Sequence, residues 1–412
     1  MDSTRESRLR HAMDVIEKCQ RQFLEQARQI YRETPITHSI EQAYLATPRH
    51  RFVTRYRERG STTWRVVNET NLAEHAATLY SDRPLVLYGD DDTNIQSTIS
   101  QPSFVLRMLD LLELRAGDRV FELGAGSGWA AAMMGRLVGP DGQVISLEII
   151  PELAKRAAEA VAALGIANVR IIEGDGGKGF PDGALFDRVI FTAGTFDLPR
   201  YSHEGVRDGG LLLVPIKTSG GGDSLFLLRK TGDHFESQES MPCGFVPVTG
   251  QYQFEDLAPM TLSEAVPGWS ELQKREVGRR RFWWGGKGQG SLGALGAFAS
   301  LGVRSFLGIV EPTFRVFKSE DVQDKLERRF FGLWDAESRS LVLAKDDWLV
   351  AYGNSTAENR LQEMLQTWLR LGMPAAACLD LKVYPIDALV EAGRQQWLVK
   401  RRDSQFLWTL QA

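Results

Sequence analysis

Apolar side chains at Leu9, Met13, Ile16 and Phe23 recur at roughly helical spacing among charged neighbours, which predicts an opening helix with a solvated outer face. A second apolar-and-basic stretch covers 43–53, and Thr47 and Pro48 stand in it as a stop or cap. From about Gln101 the pattern becomes regular. Residues 103–114 read as an amphipathic helix, 119–123 as a short apolar strand, and 129–138 as an alanine-rich helix. Strand 143–148, helix 151–164 with Pro151 near its start, and strands 168–172 and 186–192 follow. Later strands are expected at 211–216 and 224–229. Strands alternating with helices of this length imply an α/β fold with a doubly wound, mostly parallel sheet.

After about Pro259 the alternation stops. A glycine- and aromatic-rich run is followed by strand patterns at 305–317, 331–334, 340–343 and 379–384, with a helix at 358–371. The expected organisation is a helical N-terminal arm over 1–95, a sheet domain over 96–258, and a smaller α+β domain over 259–412.

Length supports more than one core, since 412 residues exceed what one domain usually holds. Hydrophobic residues at 43% and charged residues at 25% describe a globular chain, and a net charge of −4 removes the basic excess that a nucleic-acid binder shows. No apolar run approaches a membrane span, and the charged N-terminus lacks a signal-type apolar segment. Cys19, Cys243 and Cys378 are far apart and lack paired spacing, so they read as free thiols in a reducing, cytoplasmic setting. The six histidines are dispersed, and no metal site is expected.

The sharpest local motif is Val120 to Gly128, a strand ending in Gly124, Gly126 and Gly128 and opening a helix. Glycine allows a sharp turn and a close ligand approach, and the helix start offers free N–H groups. The spacing differs from the dinucleotide fingerprint. Glu148 ends the next strand, where a carboxylate can accept two ribose hydroxyls. Asp175 ends the third, within reach of an adenine amino group. Each carboxylate alone reads equally well as a solvated loop residue. Together they favour a nucleoside without a diphosphate, which suits S-adenosyl-L-methionine better than NAD.

Thr98-Ile99-Ser100-Gln101-Pro102 precedes the first helix of the sheet domain. The run STISQP, RAGDRVFELGAGSG, VISLEIIPELAKRA, NVRIIEGDGGKGFP and FDRVIFTAG resembles the protein-L-isoaspartate O-methyltransferase family. ATPRHRFV, YSDRPLVL, DGGLLLVPI and GFVPVT extend the resemblance over 43–249. It implies a class I, Rossmann-like, S-adenosyl-L-methionine-dependent methyltransferase that releases S-adenosyl-L-homocysteine. It implies that Ser100 is the active-site serine. Glu122, Gly124, Gly126, Ser127, Gly128, Glu148, Ile149, Asp175 and Gly176 match the cofactor motifs, with Thr98, Ile99 and Thr249 at the pocket edge. From the residues alone, Ser100 reads as an N-cap for the following helix. The chain departs from the family at Ser103, where histidine or tyrosine is frequent. It also departs in added sequence around Trp64 and His75, and in an acidic stretch over 89–94.

The resemblance implies a protein or peptide partner bearing isoaspartate or aspartate. The leading expectation is methyl esterification of isoaspartate, leading through a succinimide to repair. The runner-up is a peptide-tailoring enzyme that esterifies one aspartate of a ribosomally made peptide to give an aspartimide, because FGLWD, DDWLVAYG and CLDLKVYP resemble the extra domain of longer family members. A binding module that has lost catalysis is the expectation from another class. The 259–412 region reads either as a stabilising domain or as a substrate-recognition domain, with Arg279–Arg281 and Phe282–Trp284 able to grip an acidic or aromatic peptide.

Overall fold

The computed structural model describes residues 3–90, 94–180, 183, 185–281, 297–318, 329–345 and 348–411. The aromatic triplet at 282–284 and the acidic residues 91–93 lie outside the described residues.

The N-terminal region is helix α1 (Ser3–Ile30), helix α2 (His38–Leu45), the short strands β1 (Arg55–Tyr56) and β2 (Arg65–Val66), helix α3 (Leu72–Leu79), and a hairpin of β3 (Leu85–Gly89) and β4 (Ile95–Ile99). The apolar stripe of α1 is buried at Ala12, Ile16, Phe23 and Ala27, while Leu9 and Met13 stay exposed. Phe23 meets Tyr44 of α2 at 5.2 Å between ring centroids, and Tyr44 meets Trp129 of the sheet domain at 6.2 Å. The arm therefore shares one core with the sheet domain. Each large apolar side chain so buried contributes about 1.5–3 kcal/mol.

The sheet domain runs through α4 (Pro102–Leu111), β5 (Arg119–Leu123), α5 (Trp129–Val138), β6 (Gln143–Glu148), α6 (Pro151–Ala163), β7 (Val169–Glu173), β8 (Phe186–Phe191), α7 (Arg200–Gly205), β9 (Val206–Lys217), β10 (Asp223–Thr231) and β11 (His234–Cys243). Strands β7, β6, β5, β8 and β9 pair in parallel, in that order. From β9 outward the pairing is antiparallel through β10 and β11. The chain leaves β5 on one side for β6 and β7, then returns to its other side for β8. The crevice at the carboxyl ends of β5 and β8 is therefore the topological switch point, the position where such sheets bind ligands.

The C-terminal region departs from expectation in two places. It comprises β12 (Met260–Thr261), α8 (Leu262–Ala265), α9 (Trp269–Leu272), β13 (Glu276–Arg281), α10 (Ala297–Val310), β14 (Phe314–Lys318), β15 (Arg329–Asp335), β16 (Ser340–Lys345), β17 (Trp348–Tyr352), α11 (Thr356–Arg370), β18 (Leu379–Pro385), β19 (Gln396–Lys400) and β20 (Ser404–Leu410). Strands β12 to β17 form a separate six-stranded sheet. Strands β18, β20 and β19 instead extend the main sheet to ten strands by pairing β18 with β11. The segment 379–410 thus leaves the smaller domain and belongs to the main sheet. Residues 305–310 were expected in a strand but are helical. Val303, Phe306, Leu307 and Val310 fall on one helical face and enter the second domain's core. Among the described residues, no helix is long and apolar enough to cross a membrane.

Candidate active site

The carboxyl edge of the parallel strands opens into a cavity of about 690 Å³. Its floor is the turn after β5. Gly124 adopts φ +98°, and a Cβ there would stand 2.6 Å from Thr192 Oγ1. Thr192, at the end of β8, donates its hydroxyl to the Leu123 carbonyl at 2.9 Å and to the Gly124 carbonyl. Gly126, at φ +54°, meets nothing closer than Ser97 Oγ at 3.6 Å, so its missing side chain leaves room in the cavity.

Two carboxylates sit below this turn. Glu148 Oε2 accepts the Gly126 N–H at 2.7 Å, and Oε1 accepts the Ile150 N–H at 2.9 Å. Each oxygen keeps acceptor capacity for a further donor. Burial raises the Glu148 pKa, against the pull of these backbone amides. Glu122 is fully buried at the end of β5 and accepts the Ser146 hydroxyl at 2.5 Å. Its Oε1 has no hydrogen-bond partner among the described residues. Burial pushes its pKa up to about 8, the Ser146 hydrogen bond opposes the rise, and the neighbouring Glu148 adds to it. Glu122 accordingly holds its proton at neutral pH.

The β3–β4 hairpin covers the turn from above, and the chain leaving β4 carries Ser100 into the same cavity as Gly124, Gly126 and Glu148. Ser100 does not cap α4. The N-cap position is Gln101, Pro102 opens the helix, and no side chain of the N-cap residue bonds the first turn. Asp82 caps it from a distance. Its Oδ1 accepts the Ser103 N–H at 2.9 Å, and its Oδ2 accepts the Ser103 hydroxyl at 2.8 Å and the Gln101 amide at 2.9 Å. A carboxylate at a helix start satisfies a free N–H and complements the dipole. Relieved of capping, the Ser100 hydroxyl has no hydrogen-bond partner among the described residues.

Arg49 fixes the Ser100 backbone. It is completely buried, stacks over Trp129 at 4.9 Å, and donates to the carbonyls of Ser100 (2.8 Å), Ile99 (3.3 Å) and Arg83 (3.3 Å). Burial lowers its pKa to about 10, which leaves it charged at neutral pH.

The remaining wall is residues 242–250. Gly194 holds this segment through paired backbone bonds to Val246 and Val248, both 2.8 Å. Phe245 faces Phe104 of α4 at 6.0 Å, and Met108 and Tyr88 add to the apolar side.

Of the residues expected from sequence, Thr98, Ile99, Ser100, Glu122, Gly124, Gly126, Ser127, Glu148, Ile149, Gly176 and Thr249 line the cavity. Gly128 and Asp175 do not. Gly128 lies against α6, where a Cβ would meet Ala157 Cβ at 2.9 Å, so it serves packing. Asp175 turns its carboxylate to the Gly177 and Gln251 N–H groups, both at 2.8 Å, and so ties two loops beside the cavity. The sequence reading missed Thr192, Arg49 and Asp82. Thr192 was discoverable, because it ends a parallel strand at the carboxyl edge. The other two act through pairs far apart in sequence.

A sequence profile described as protein-L-isoaspartate(D-aspartate) O-methyltransferase matches residues 21–253. The chain is 35% identical over 250 residues to protein-L-isoaspartate O-methyltransferase 2 of Archaeoglobus fulgidus, spanning 60% of this chain and 99% of that protein. It is 40% identical over 169 residues to the protein-L-isoaspartate O-methyltransferase of Ignicoccus hospitalis, spanning 41% of this chain and 77% of that one. A solved structure named protein-L-isoaspartate O-methyltransferase shares the fold across 87% of this chain and 96% of its own, with a TM-score of 0.51 at 22% identity.

Proposed function

Because the chain belongs to the protein-L-isoaspartate(D-aspartate) O-methyltransferase family, we propose that it esterifies the free carboxylate of isoaspartyl residues in proteins or peptides. It is a methyltransferase, and S-adenosyl-L-methionine is the methyl donor of its family. The observation that carries the reading is the convergence of Ser100, the Gly124–Ser127 turn and Glu148 on one cavity.

The residues fit the cofactor. Gly126 leaves room above the turn, Glu148 retains lone pairs for two hydroxyls, and Ile149 and Thr249 line the same cavity. When bound, S-adenosyl-L-methionine supplies an electrophilic methyl group, and S-adenosyl-L-homocysteine remains after transfer. The substrate carboxylate is ionised at neutral pH and needs no general base. Ser100 donates a hydrogen bond to one of its oxygens and leaves the other free to attack. Phe104, Met108 and Phe245 keep water from that oxygen. The backbone amide nitrogen of the substrate's next residue then attacks the ester carbonyl and expels methanol, giving a succinimide whose hydrolysis returns part of the residue to aspartate, a repair outcome.

A tailoring reading, in which one aspartate of a dedicated peptide becomes an aspartimide, draws on the six-stranded sheet of 260–352, which lies beyond the matched 21–253. Methyl transfer from labelled S-adenosyl-L-methionine to an isoaspartyl peptide, with its aspartyl twin as control, separates the two. Turnover of the isoaspartyl form alone is expected. Cofactor binding without turnover of either peptide would overturn the repair reading and favour the dedicated substrate.

A further inference from the structure

The bend between β19 and β20 reaches back to the cavity wall. Arg402 donates to the Gln251 carbonyl at 2.9 Å and the Gln253 carbonyl at 3.5 Å. Its guanidinium also lies over the rings of Tyr252 (5.4 Å) and Phe254 (4.5 Å). Next to it, Asp403 Oδ2 accepts the Tyr252 hydroxyl at 3.1 Å, and the Asp403 N–H donates to Asp197 Oδ2 at 2.8 Å. Asp197 shares the Tyr252 hydroxyl at 3.0 Å and is fully buried. The short 3-10 turn Gly250–Tyr252 is therefore gripped from its outer side by residues some 150 positions downstream.

The inner side of the same turn belongs to the cavity. Thr249 and Gly250 line it, and the Gln251 N–H donates to Asp175, whose neighbours Gly174 and Gly176 also line it. Two hydrogen-bonded steps thus connect the C-terminal bend to the wall facing the end of β7. The contacts fall on two backbone carbonyls, the Tyr252 phenol and the rings of Tyr252 and Phe254, with Asp197 bracing the same phenol, so they fix the turn's position and none of them is made to Thr249 or Gly250 at the cavity.

We propose that Arg402 and Asp403 are positioning residues for the cofactor, clamping the 249–252 turn against Asp175, so that the C-terminal strands complete the nucleoside half of the site. This rests on the reading that the cavity holds S-adenosyl-L-methionine. A profile confined to 21–253 contains the turn but omits its clamp.

The test compares the full-length chain with an Arg402→Ala/Asp403→Ala double variant and an Arg402→Lys/Asp403→Asn variant. Lysine keeps a cation over the rings and a donor for Gln251, and asparagine keeps an acceptor for Tyr252. Binding of S-adenosyl-L-homocysteine is measured by calorimetry, steady-state rates with varied S-adenosyl-L-methionine, and hydrogen exchange over 249–254. In the alanine variant, the Kd and the cofactor KM are expected to rise about fivefold to tenfold, with kcat largely kept and faster exchange in that segment. The conservative variant is expected to recover most of the affinity. Unchanged Kd in the alanine variant, or a fall in kcat without a KM shift, overturns the clamp while leaving the cofactor reading intact. Failure of the wild-type chain to bind S-adenosyl-L-homocysteine overturns the cofactor reading, and the clamp's role with it.

Discussion

Arg49 donates to the backbone carbonyl of Ser100 at 2.8 Å from a fully buried position, 51 residues earlier in the chain. One guanidinium holds the carbonyls of Ser100, Ile99 and Arg83 together, joining the chain that leaves β4 to the start of β3. Lysine has no planar fork to span three carbonyls. Arg49→Lys should lower both stability and turnover, the former by about 1–3 kcal/mol for the acceptors left unpaired in the interior. Urea denaturation and kcat for an isoaspartyl peptide would check it. A variant with lowered stability and wild-type kcat would mean that the Ser100 backbone keeps its place without this anchor.

Ser100→Ala isolates the hydroxyl. Asp82 caps α4, so the helix loses nothing when the serine is truncated. A hydrogen bond to a charged group contributes about 1.5–3 kcal/mol, which corresponds to a fall in kcat of roughly 10- to 100-fold. S-adenosyl-L-homocysteine affinity should stay as in the wild type. Full turnover in this variant would remove Ser100 from the mechanism.

The two glycines of the turn should respond differently to alanine. Gly124→Ala drives a methyl group into Thr192 Oγ1 at a strained φ of +98°, so the loss should appear as a lower melting temperature. Gly126→Ala places its methyl group in ordinary contact with Ser97 Oγ at 3.6 Å and the Thr98 carbonyl at 3.7 Å, without a clash, and a left-handed alanine costs about 1–2 kcal/mol. Its added methyl group occupies room beside the Glu148-bound amide, so cofactor binding should weaken more than the fold does. Calorimetry with S-adenosyl-L-homocysteine, set against thermal melts of both variants, checks the contrast. Equal losses in both measurements would mean that Gly126 serves the turn alone.

The elements that were legible in the sequence are those whose information is local. Trp129–Val138 and Gln143–Glu148 coincide with the expected helix and strand, because alanine-rich and alternating apolar patterns report their own periodicity. The cavity residues of the glycine turn were legible for a related reason: parallel strands bring their carboxyl ends to one edge. Asp175 shows the limit of that rule. It lies two residues beyond β7 and outside the cavity lining, and its carboxylate ties its own loop to a second one through the Gln251 N–H, a partner 76 residues away. The pairing of β18 with β11 was hidden in the same way, since it links segments more than a hundred residues apart through only two paired positions, Phe235 with Val383 and Glu236 with Lys382. Residues 305–310 are helical yet read as strand from sequence, because their apolar run is nearly continuous, and a buried helix and a buried strand then look alike.

Glu122 supplies a pH signature. Its pKa rises from the ordinary 4.5 to about 8, with burial as the main cause. Between these values the folded state keeps a proton that the unfolded chain has released. Stability contributed by this group is therefore full below 4.5, falls as pH rises through that window, and levels off above about 8. Glutamine has nearly the shape of the protonated acid and does not titrate, so Glu122→Gln should remove this component. The gap in melting temperature, wild type minus variant, should shrink or reverse as pH is raised from about 5 to about 9. Glu148 and Asp197 also carry raised pKa values and remain in both proteins, so to first order the difference between the two curves reports Glu122. Parallel curves across that range would mean that Glu122 is ionised in the folded protein, and that its unpartnered oxygen has a donor in solution.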